Sequence, residues 1–514
     1  MKSIQRRDVL KLGAASAGAL LMSLAQSSTR ALNARDADRP NILIILFDTF
    51  SALHLKSGGY FRDTTPNLDR FAEQAHVYHH HYAPANFTTP GTASILTGMY
   101  PWTHRAINNY GLIDPRLAER NIFNLLGGGY FRAAFPQNAW VDGLLDQCDA
   151  DIDEYLTPSA FSRYSDNLRD SYFFRNDRVA FSRAAKGIAA QRTPLPGLFG
   201  LTLIQELNYF LFAQKMNQDL AEQYPRGFPI TDFYTAPVAY LNDEVNDGIM
   251  QMLDELAQPF LTYIHLLAPH EPYRPRKEFI DAFKGDGFIP APKPPHPFFS
   301  EGLDTNALDA FRREYDEYLL NVDAEFGRLY DHLRRSGILD SSYVIVMSDH
   351  GQMFERGYHG HITPMLYESV IRTPLIIHAP KQTQRLDVYD ATSNIDLLPT
   401  LMTIAGKPIP AWAEGRVLPG FGSQDSARSI FAMDAKTNPA FAPLTRGSFA
   451  IIREGLKLIR YQYPDLGIAH ELYDLNADAD ELTDLSQAKP STLKELAHEL
   501  DAAIQNANDN LTRG

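Results

Sequence analysis

The sequence predicts a doubly wound, mostly parallel α/β sheet followed by a small α+β unit. Three observations carry this expectation. Asn41–Phe47 and Ser342–Met347 are unbroken apolar runs, as expected of strands buried on both faces of a parallel sheet. Strand-like and helix-like segments alternate through the chain. From about residue 425 the alternation gives way to hairpin strands and a terminal helix.

The 514 residues suffice for one large or two associated domains. A hydrophobic content of 44% and a charged content of 21% are those of an ordinary globular protein. The net charge of −14 supplies no basic surface, which argues against a nucleic-acid partner. An anionic small-molecule substrate stays possible, because a bound cation can dominate the local field. Cys148 is the single cysteine, so the chain forms no internal disulfide and no cysteine-based metal site. It is expected to be a structural thiol.

Residues 1–34 read as a signal region and linker. Arg6-Arg7-Asp8-Val9-Leu10-Lys11 precedes a short apolar run from Leu12 to Ala25. That run suits an export signal better than a membrane span. The arginine pair resembles a twin-arginine (Tat) signal, with cleavage expected between Ala25 and Ala34. The Tat export machinery is therefore an expected partner. The expected location is periplasmic or otherwise extracytoplasmic, and an uncleaved signal anchor is the alternative.

The main domain is expected over residues 38–424. Its first strand, Asn41–Phe47, delivers Asp48 to the carboxyl end of a central strand, where open α/β sheets place ligands. Thr64 to Ala72 carries a capping hydroxyl, Pro66 and a helical pattern, and Val77 to Tyr82 reads as a strand. A helix is expected from Ala93, its N-terminus abutting the hydroxyl-rich turn Thr88 to Thr92. Free N–H groups there favour an anionic oxygen. Asn121 to Phe135 reads as helix, turn and strand.

Residues 150–230 break the alternation and read as an insertion packed on the core. A lid, or a surface for an acyl chain or membrane through 195–216, is the alternative. Tyr240 to Leu256 reads as a helix, Pro259 to Leu267 as a strand, and 285–297 as a proline-rich loop. Leu308 to Ser336 is a long charged helix, and Pro374 to His378 a further strand. Ile395 to Leu401 opens a helix ending near Ala405-Gly406. The C-terminal subdomain, 425–514, should hold strands at Ser448–Ile452, Leu456–Tyr461 and Glu471–Leu475, then a helix from Ser491 to Gln505.

Asp48, Thr88, Asp349 and His350 form the constellation with chemical potential. Two carboxylates and an imidazole suit a divalent cation, and a threonine hydroxyl beside it would gain nucleophilic character. Mixed oxygen and nitrogen ligands favour Mn or Zn over Ca. The helix after Thr88 could then help neutralise a phosphoryl or sulfuryl group.

The order and spacing of these pieces resemble the sulfatase family of the alkaline phosphatase superfamily, from about Pro40 to Asp484. The matching blocks are Asn41 to Asp48, Thr65-Pro66-Asn67-Leu68-Asp69, Thr88-x-Pro90, Thr97-Gly98-Met99-Tyr100-Pro101 and His104. Gly129-Tyr130, His270-Glu271-Pro272-Tyr273 and Ser348-Asp349-His350-Gly351 continue the series. Arg372 to Ile376, Asp396 to Thr400 and Glu471 to Leu475 complete it.

The resemblance implies an alkaline-phosphatase-like core, a cation held by Asp48, Asp349 and His350, and a nucleophile at position 88. It also implies that His270 and His361 either bind a second ion or contact the substrate, so one or two ions are expected. His359 is the alternative to His361, and Tyr273 either lines the pocket or caps a turn.

The departures bear on the reaction. Thr88 cannot be oxidised to formylglycine, and Thr92 stands where the family motif has Arg. Thr49 follows Asp48 where sulfatases carry a second Asp. The Phe135 to Trp140 block lacks the family's Lys and His, and Asp349-His350 replaces an oxygen-only pair. These changes favour a phosphodiester or phosphonate-type substrate over a sulfate ester. The alternatives are a transferase with a lipid-linked donor, a sulfatase without formylglycine, and a non-catalytic binding protein. Structural roles are expected for His79-His80-His81, which alternate faces in a strand. Arg356 is expected in solvent, with binding of an anionic substrate as the alternative, and Asp323 and Glu325 in surface ion pairs.

Overall fold

A computed structural model describes residues 39–163, 198–229, 239–422 and 428–513. The expected signal region lies outside the described residues. Pro40–Gly514 forms one compact unit.

The strands in chain order are β1 (Asn41–Phe47), β2 (His76–Tyr78), β3 (His81–Tyr82), β4 (Phe131–Pro136), β5 (Glu154–Tyr155) and β6 (Phe260–Leu266). They continue with β7 (Ser342–Met347), β8 (Met353–Glu355), β9 (Tyr358–Gly360), β10 (Leu375–His378), β11 (Leu386–Val388) and β12 (Thr392–Ser393). The C-terminal part adds β13 (Ile430–Asp434), β14 (Gly447–Arg453), β15 (Leu456–Tyr463) and β16 (Gly467–Asp474). Eight of them form the main sheet in the order β11-β2-β10-β7-β1-β6-β4-β5. Its pairings are parallel except those of β10, as expected for a mostly parallel sheet.

β1 is central because it can bury both faces. Leu43, Ile45 and Phe47 pack on one side with Phe326 and Leu329 of the long helix Thr305–Ser336. Ile42, Ile44 and Leu46 pack on the other with Ile95, Leu96 and Leu398. Register then sets the site. Leu46 pairs with His265 on β6 and with Met347 on β7. Asp48 and Asp349, each two residues beyond its paired position, therefore emerge side by side at the carboxyl edge.

The four strands β13–β16 make a separate antiparallel sheet. One face takes Leu496, Leu500 and Ile504 of the helix Pro490–Arg513. The other face, through Ala450, Ile452 and Ile459, packs on Met353, Met365, Leu366 and Val370. The C-terminal sheet therefore braces the segment that carries His361.

Several expectations change. The helix expected from Ala93 begins at Thr88. The strand expected over Val77 to Tyr82 is split, because His79 and His80 turn outward: His79 Nε2 meets Asp387 at 2.7 Å and His80 Nδ1 meets the Tyr389 carbonyl at 2.9 Å. Arg356 is buried rather than solvated. It lies over the Tyr367 ring at 3.9 Å and donates to the Glu481 carbonyl. Asp323 and Glu325 are also buried, Asp323 because it accepts the Asn67 and Leu68 N–H groups at 2.8 Å. Cys148 is a buried free thiol.

The insertion is described only in part. Leu198–Asp219 is a helix, with Leu207, Phe210 and Leu211 exposed. Among the described residues, no helix is long and apolar enough to cross a membrane.

Candidate metal centre

Asp48 follows β1 and is fully buried. The turn after it is strained: Thr49 adopts φ 61°, a left-handed conformation costly for a β-branched residue. Ser348 Oγ accepts the Phe50 N–H at 3.0 Å and the Tyr315 hydroxyl donates to the Thr49 carbonyl at 2.9 Å, which hold the turn.

The helix Thr88–Thr97 is buried along its whole length, and no side chain caps its N-terminus. Gly91 lets its first turn approach β7 closely, because a Cβ there would stand 2.5 Å from the Asp349 carbonyl oxygen. That contact brings Thr88 Oγ1 to 3.3 Å from His350 Nε2.

Four side chains thus surround one point. His350 Nε2 lies 3.5 Å from both Asp48 Oδ1 and Asp349 Oδ2. Both of these oxygens are buried without a hydrogen-bond partner. The arrangement fits a cation, since ligand bonds of about 2.0–2.2 Å separate neighbouring donor atoms by roughly 3–3.5 Å. His350 Nδ1 donates to the Gly351 carbonyl at 3.0 Å, which leaves the Nε2 lone pair facing the two carboxylates.

Burial would raise the Asp48 carboxyl, but the hydrogen bond from His265 and the charges of His270, His265 and His350 outweigh it and hold it below the ordinary range. Burial and the charge of Asp48 push Asp349 well above that range. Two carboxylates this close cannot both ionise cheaply without a cation between them. Burial lowers His350 to about 4.

Four residues not singled out in the sequence, together with Glu271 of the matched His270-Glu271-Pro272-Tyr273 block, surround the site. His265 Nε2 donates to Asp48 Oδ2 at 3.3 Å and lies 4.0 Å from Asp349 Oδ2. Asn138 donates to Asp48 Oδ2 at 2.6 Å. Asn394 donates to the Ser348 carbonyl at 3.1 Å, and His81 Nε2 lies 2.7 Å from its amide oxygen. Gln352 and Glu271 stand beside His361. Among the four, a histidine inside the apolar run of β6 was the one readable signal; the others meet the site only through tertiary contacts.

His270 and His361 flank this centre. The His361 ring lies 4.6 Å from that of His350 and 5.0 Å from that of His270. His359 instead stacks on Phe311 at 4.2 Å. The Tyr273 hydroxyl contacts Gln352 at 2.6 Å and His359 at 3.1 Å. Burial and the neighbouring His350 push His361 far below the usual imidazole range.

A mostly parallel α/β sheet with such a cluster at its carboxyl edge places the chain among α/β proteins whose ligand site lies at the strand ends. The sulfatase family model matches residues 40–407, and the model described as N-sulphoglucosamine sulphohydrolase, C-terminal, matches residues 357–510. The chain belongs to the sulfatase family. It is 26% identical over 486 residues to the choline-sulfatase of Rhizobium meliloti, covering 87% of this chain and 83% of that one. It is 24% identical over 516 residues to an N-acetylgalactosamine-6-O-sulfatase of Bacteroides thetaiotaomicron, covering 91% and 94%. The phosphonate monoester hydrolase structure of Agrobacterium radiobacter superposes with a TM-score of 0.65 at 18% identity, covering 91% of this chain and 96% of that one. Family members use a divalent metal, and Asp48, His265 and Asp349 each offer a ligand atom within 4.8 Å of the others.

Proposed function

We propose that this sulfatase-family hydrolase cleaves phosphodiester or phosphonate-type esters, with Thr88 as the nucleophile. The observation that carries this reading is the placement of Thr88 Oγ1 at 3.3 Å from His350 Nε2, beside the two unpartnered carboxylate oxygens. Asp48, Asp349 and His350 would hold a divalent cation, Mn or Zn rather than Ca, with Thr88 beside it. Bound there, it would supply the positive charge that lowers the pKa of the threonine hydroxyl.

The chain's own residues account for the rest. The uncapped helix end offers N–H groups to the non-bridging oxygens of the ester. Thr88 Oγ1 attacks phosphorus in line, the bond to the leaving oxygen breaks, and the hydroxyl proton departs with the alcohol. Water then cleaves phospho-Thr88, restoring the hydroxyl. His265 and Asn138 hold the Asp48 carboxylate in place, while His270 and His361 face the leaving group. Tyr273 acts through Gln352 as a positioning residue.

The preference for phosphorus over sulfur rests on Thr88 and Thr92. The first cannot become formylglycine, and the second carries no charge for a sulfate. A transfer reaction with a lipid-linked donor is the second reading, favoured by the exposed Leu207, Phe210 and Leu211. The N-terminal Tat-like signal supports an extracytoplasmic setting for either.

The test is a panel of aryl phosphate diesters, phosphonates, monoesters and sulfates, assayed with added Mn or Zn. Diester or phosphonate turnover is expected to dominate, and Thr88→Ala to abolish it with an unchanged melting transition. Faster sulfate turnover would reverse the substrate assignment, and wild-type kinetics in Thr88→Ala would remove the nucleophile.

A further inference from the structure

We infer that the chain holds a separate ligand site, a cavity of about 470 Å³ that takes a small aromatic hydroxy acid. Its size is that of a small-molecule pocket. Gln352 lines it, whereas Asp48, Thr88, Asp349, His350 and His361 do not. The polar atoms of Gln352 are engaged elsewhere: its oxygen accepts from His361 Nδ1 at 2.8 Å, and its nitrogen donates to Glu271 at 2.7 Å. The cavity is therefore distinct from the candidate metal centre, and the inference does not depend on the proposed reaction.

His54 is the residue that points to a ligand. Its side chain is 6% exposed, and its Nδ1 lies 2.6 Å from the fully buried Asp316. The other oxygen of Asp316 accepts from the Tyr60 hydroxyl at 2.6 Å and from Arg62 at 2.9 Å. Asp316 is thus an acceptor shared by three donors, which puts the His54 proton on Nδ1 and the lone pair on Nε2. His54 lines the cavity, and its Nε2 forms no hydrogen bond among the described residues. A buried acceptor fixed in one orientation and left unpaired is completed by a donor from a ligand, here a hydroxyl.

The walls set the rest of the ligand. Tyr60, Phe61 and Phe288 line the cavity, with the Phe288 ring 5.5 Å from Tyr60 and 5.7 Å from Phe61. Phe61 is exposed at the mouth. Such rings favour a planar aromatic partner. Phe288 belongs to the proline-rich loop, which is anchored on both sides of the cavity. Asp286 accepts from Arg62 at 2.7 Å, and Lys293 pairs with Glu355 at 2.7 Å. Charge selects an acid. Lys293, Arg312 and Arg372 line the cavity against Glu355 and Asp480. Lys293 is spent on Glu355, but the nearest carboxylate to Arg312 among the described residues is Asp309, at 3.9 Å. That leaves positive charge for the acid group of the ligand.

The experiment is isothermal titration calorimetry of the full chain with para-hydroxybenzoate. Saturable binding of one equivalent is expected. Benzoate and phenol should each bind at least about tenfold more weakly, since each lacks one of the two polar groups. His54→Asn keeps a donor for Asp316 and removes the acceptor from the cavity, and should also weaken binding about tenfold. Phe61→Ala and Ala291→Trp alter the cavity at exposed positions, the first by removing a wall and the second by filling space, and both should weaken binding. Thr88→Ala should bind as the wild type does.

No saturable heat with para-hydroxybenzoate overturns the inference. Wild-type affinity in both Phe61→Ala and Ala291→Trp places the binding elsewhere and overturns it too, as does loss of binding in Thr88→Ala. Equal affinity for benzoate removes the hydroxyl contact to His54, and tighter binding of glucuronate overturns the aromatic class. Melting curves identify any variant that fails to fold, and the two exposed positions still decide the inference if His54→Asn does.

Discussion

Gly91 is where the helix Thr88–Thr97 touches the strand end that carries Asp349. Adding one methyl group there would place it 2.5 Å from a backbone oxygen that cannot move aside cheaply. Gly91→Ala should cost about 1–3 kcal/mol as overpacking. The larger effect should fall on the reaction, since a misplacement of about 1 Å can cost on the order of 100-fold. We expect kcat to fall at least about tenfold while the chain still folds; steady-state kinetics beside a thermal melt check both. Unchanged kcat would show that Thr88 is not positioned by this contact. At the same scale, Asp48, Thr88, Asp349 and His350 are legible in the sequence through the order and spacing of the family's blocks, since a carboxylate at a strand end or a hydroxyl in a turn is common by itself. Asn138, Gln352 and Asn394 carry no local mark in the sequence, because their partners are brought to them by tertiary contacts; His265 carries one, as a histidine inside the apolar run of β6. Arg356 looked like a solvated loop residue for the same reason: the C-terminal segment that buries it is remote in sequence.

Elements with long periods were read well, and those with short ones were not. β1 and β7 were bounded closely, since continuous apolar runs admit few alternatives. Strands of two or three residues, such as β3, β11 and β12, carry no periodicity, so their pairing is set by neighbours. The long helix Thr305–Ser336 was placed correctly, yet the burial of Asp323 was missed because its partner is the N-terminus of another helix, Pro66–Ala72. Burial raises the Asp323 carboxyl from 3.8 to about 6, against the lowering effect of the Asn67 and Leu68 N–H groups. The folded chain therefore holds a proton that the unfolded chain has released between about pH 4 and pH 6. Stability from this group is greatest at the acid end, falls as pH rises through that window, and is level above it. Asp323→Asn should flatten this part of the pH profile, measured as denaturation midpoints between pH 4 and pH 7. An unaltered slope would mean that the carboxyl titrates at its ordinary value.

At the scale of the molecule, the C-terminal sheet and the short helix Glu368–Ile371, which precedes β10, share a buried charge cluster. Lys457 on β15 is fully buried between Glu368, at 3.1 Å, and Glu481, at 2.8 Å. Removing one partner of a buried ion pair typically costs about 3–5 kcal/mol. Lys457→Met should therefore destabilise the chain by that order, and activity should fall in parallel because Glu368 closes the segment that carries His361. Neutralising both carboxylates as well, with Glu368→Gln and Glu481→Gln, should recover part of the loss. Chemical denaturation of the single and triple variants decides this, and equal stability of Lys457→Met and wild type would sink the idea.

The central position of β1 also bears on synthesis. The strand that delivers Asp48 emerges from the ribosome early, yet its neighbours β6 and β7 come much later, and the Thr88–His350 contact spans 262 residues. Pairing between such distant strands is slow and leaves apolar edges open while it waits. During translation the first strand must be kept from wrong partners until most of the chain exists. A shortened product ending before β7 lacks Asp349 and His350 and so cannot bring them beside Asp48. A quality check that senses the closed sheet would therefore also report that Asp48, Asp349 and His350 have come together.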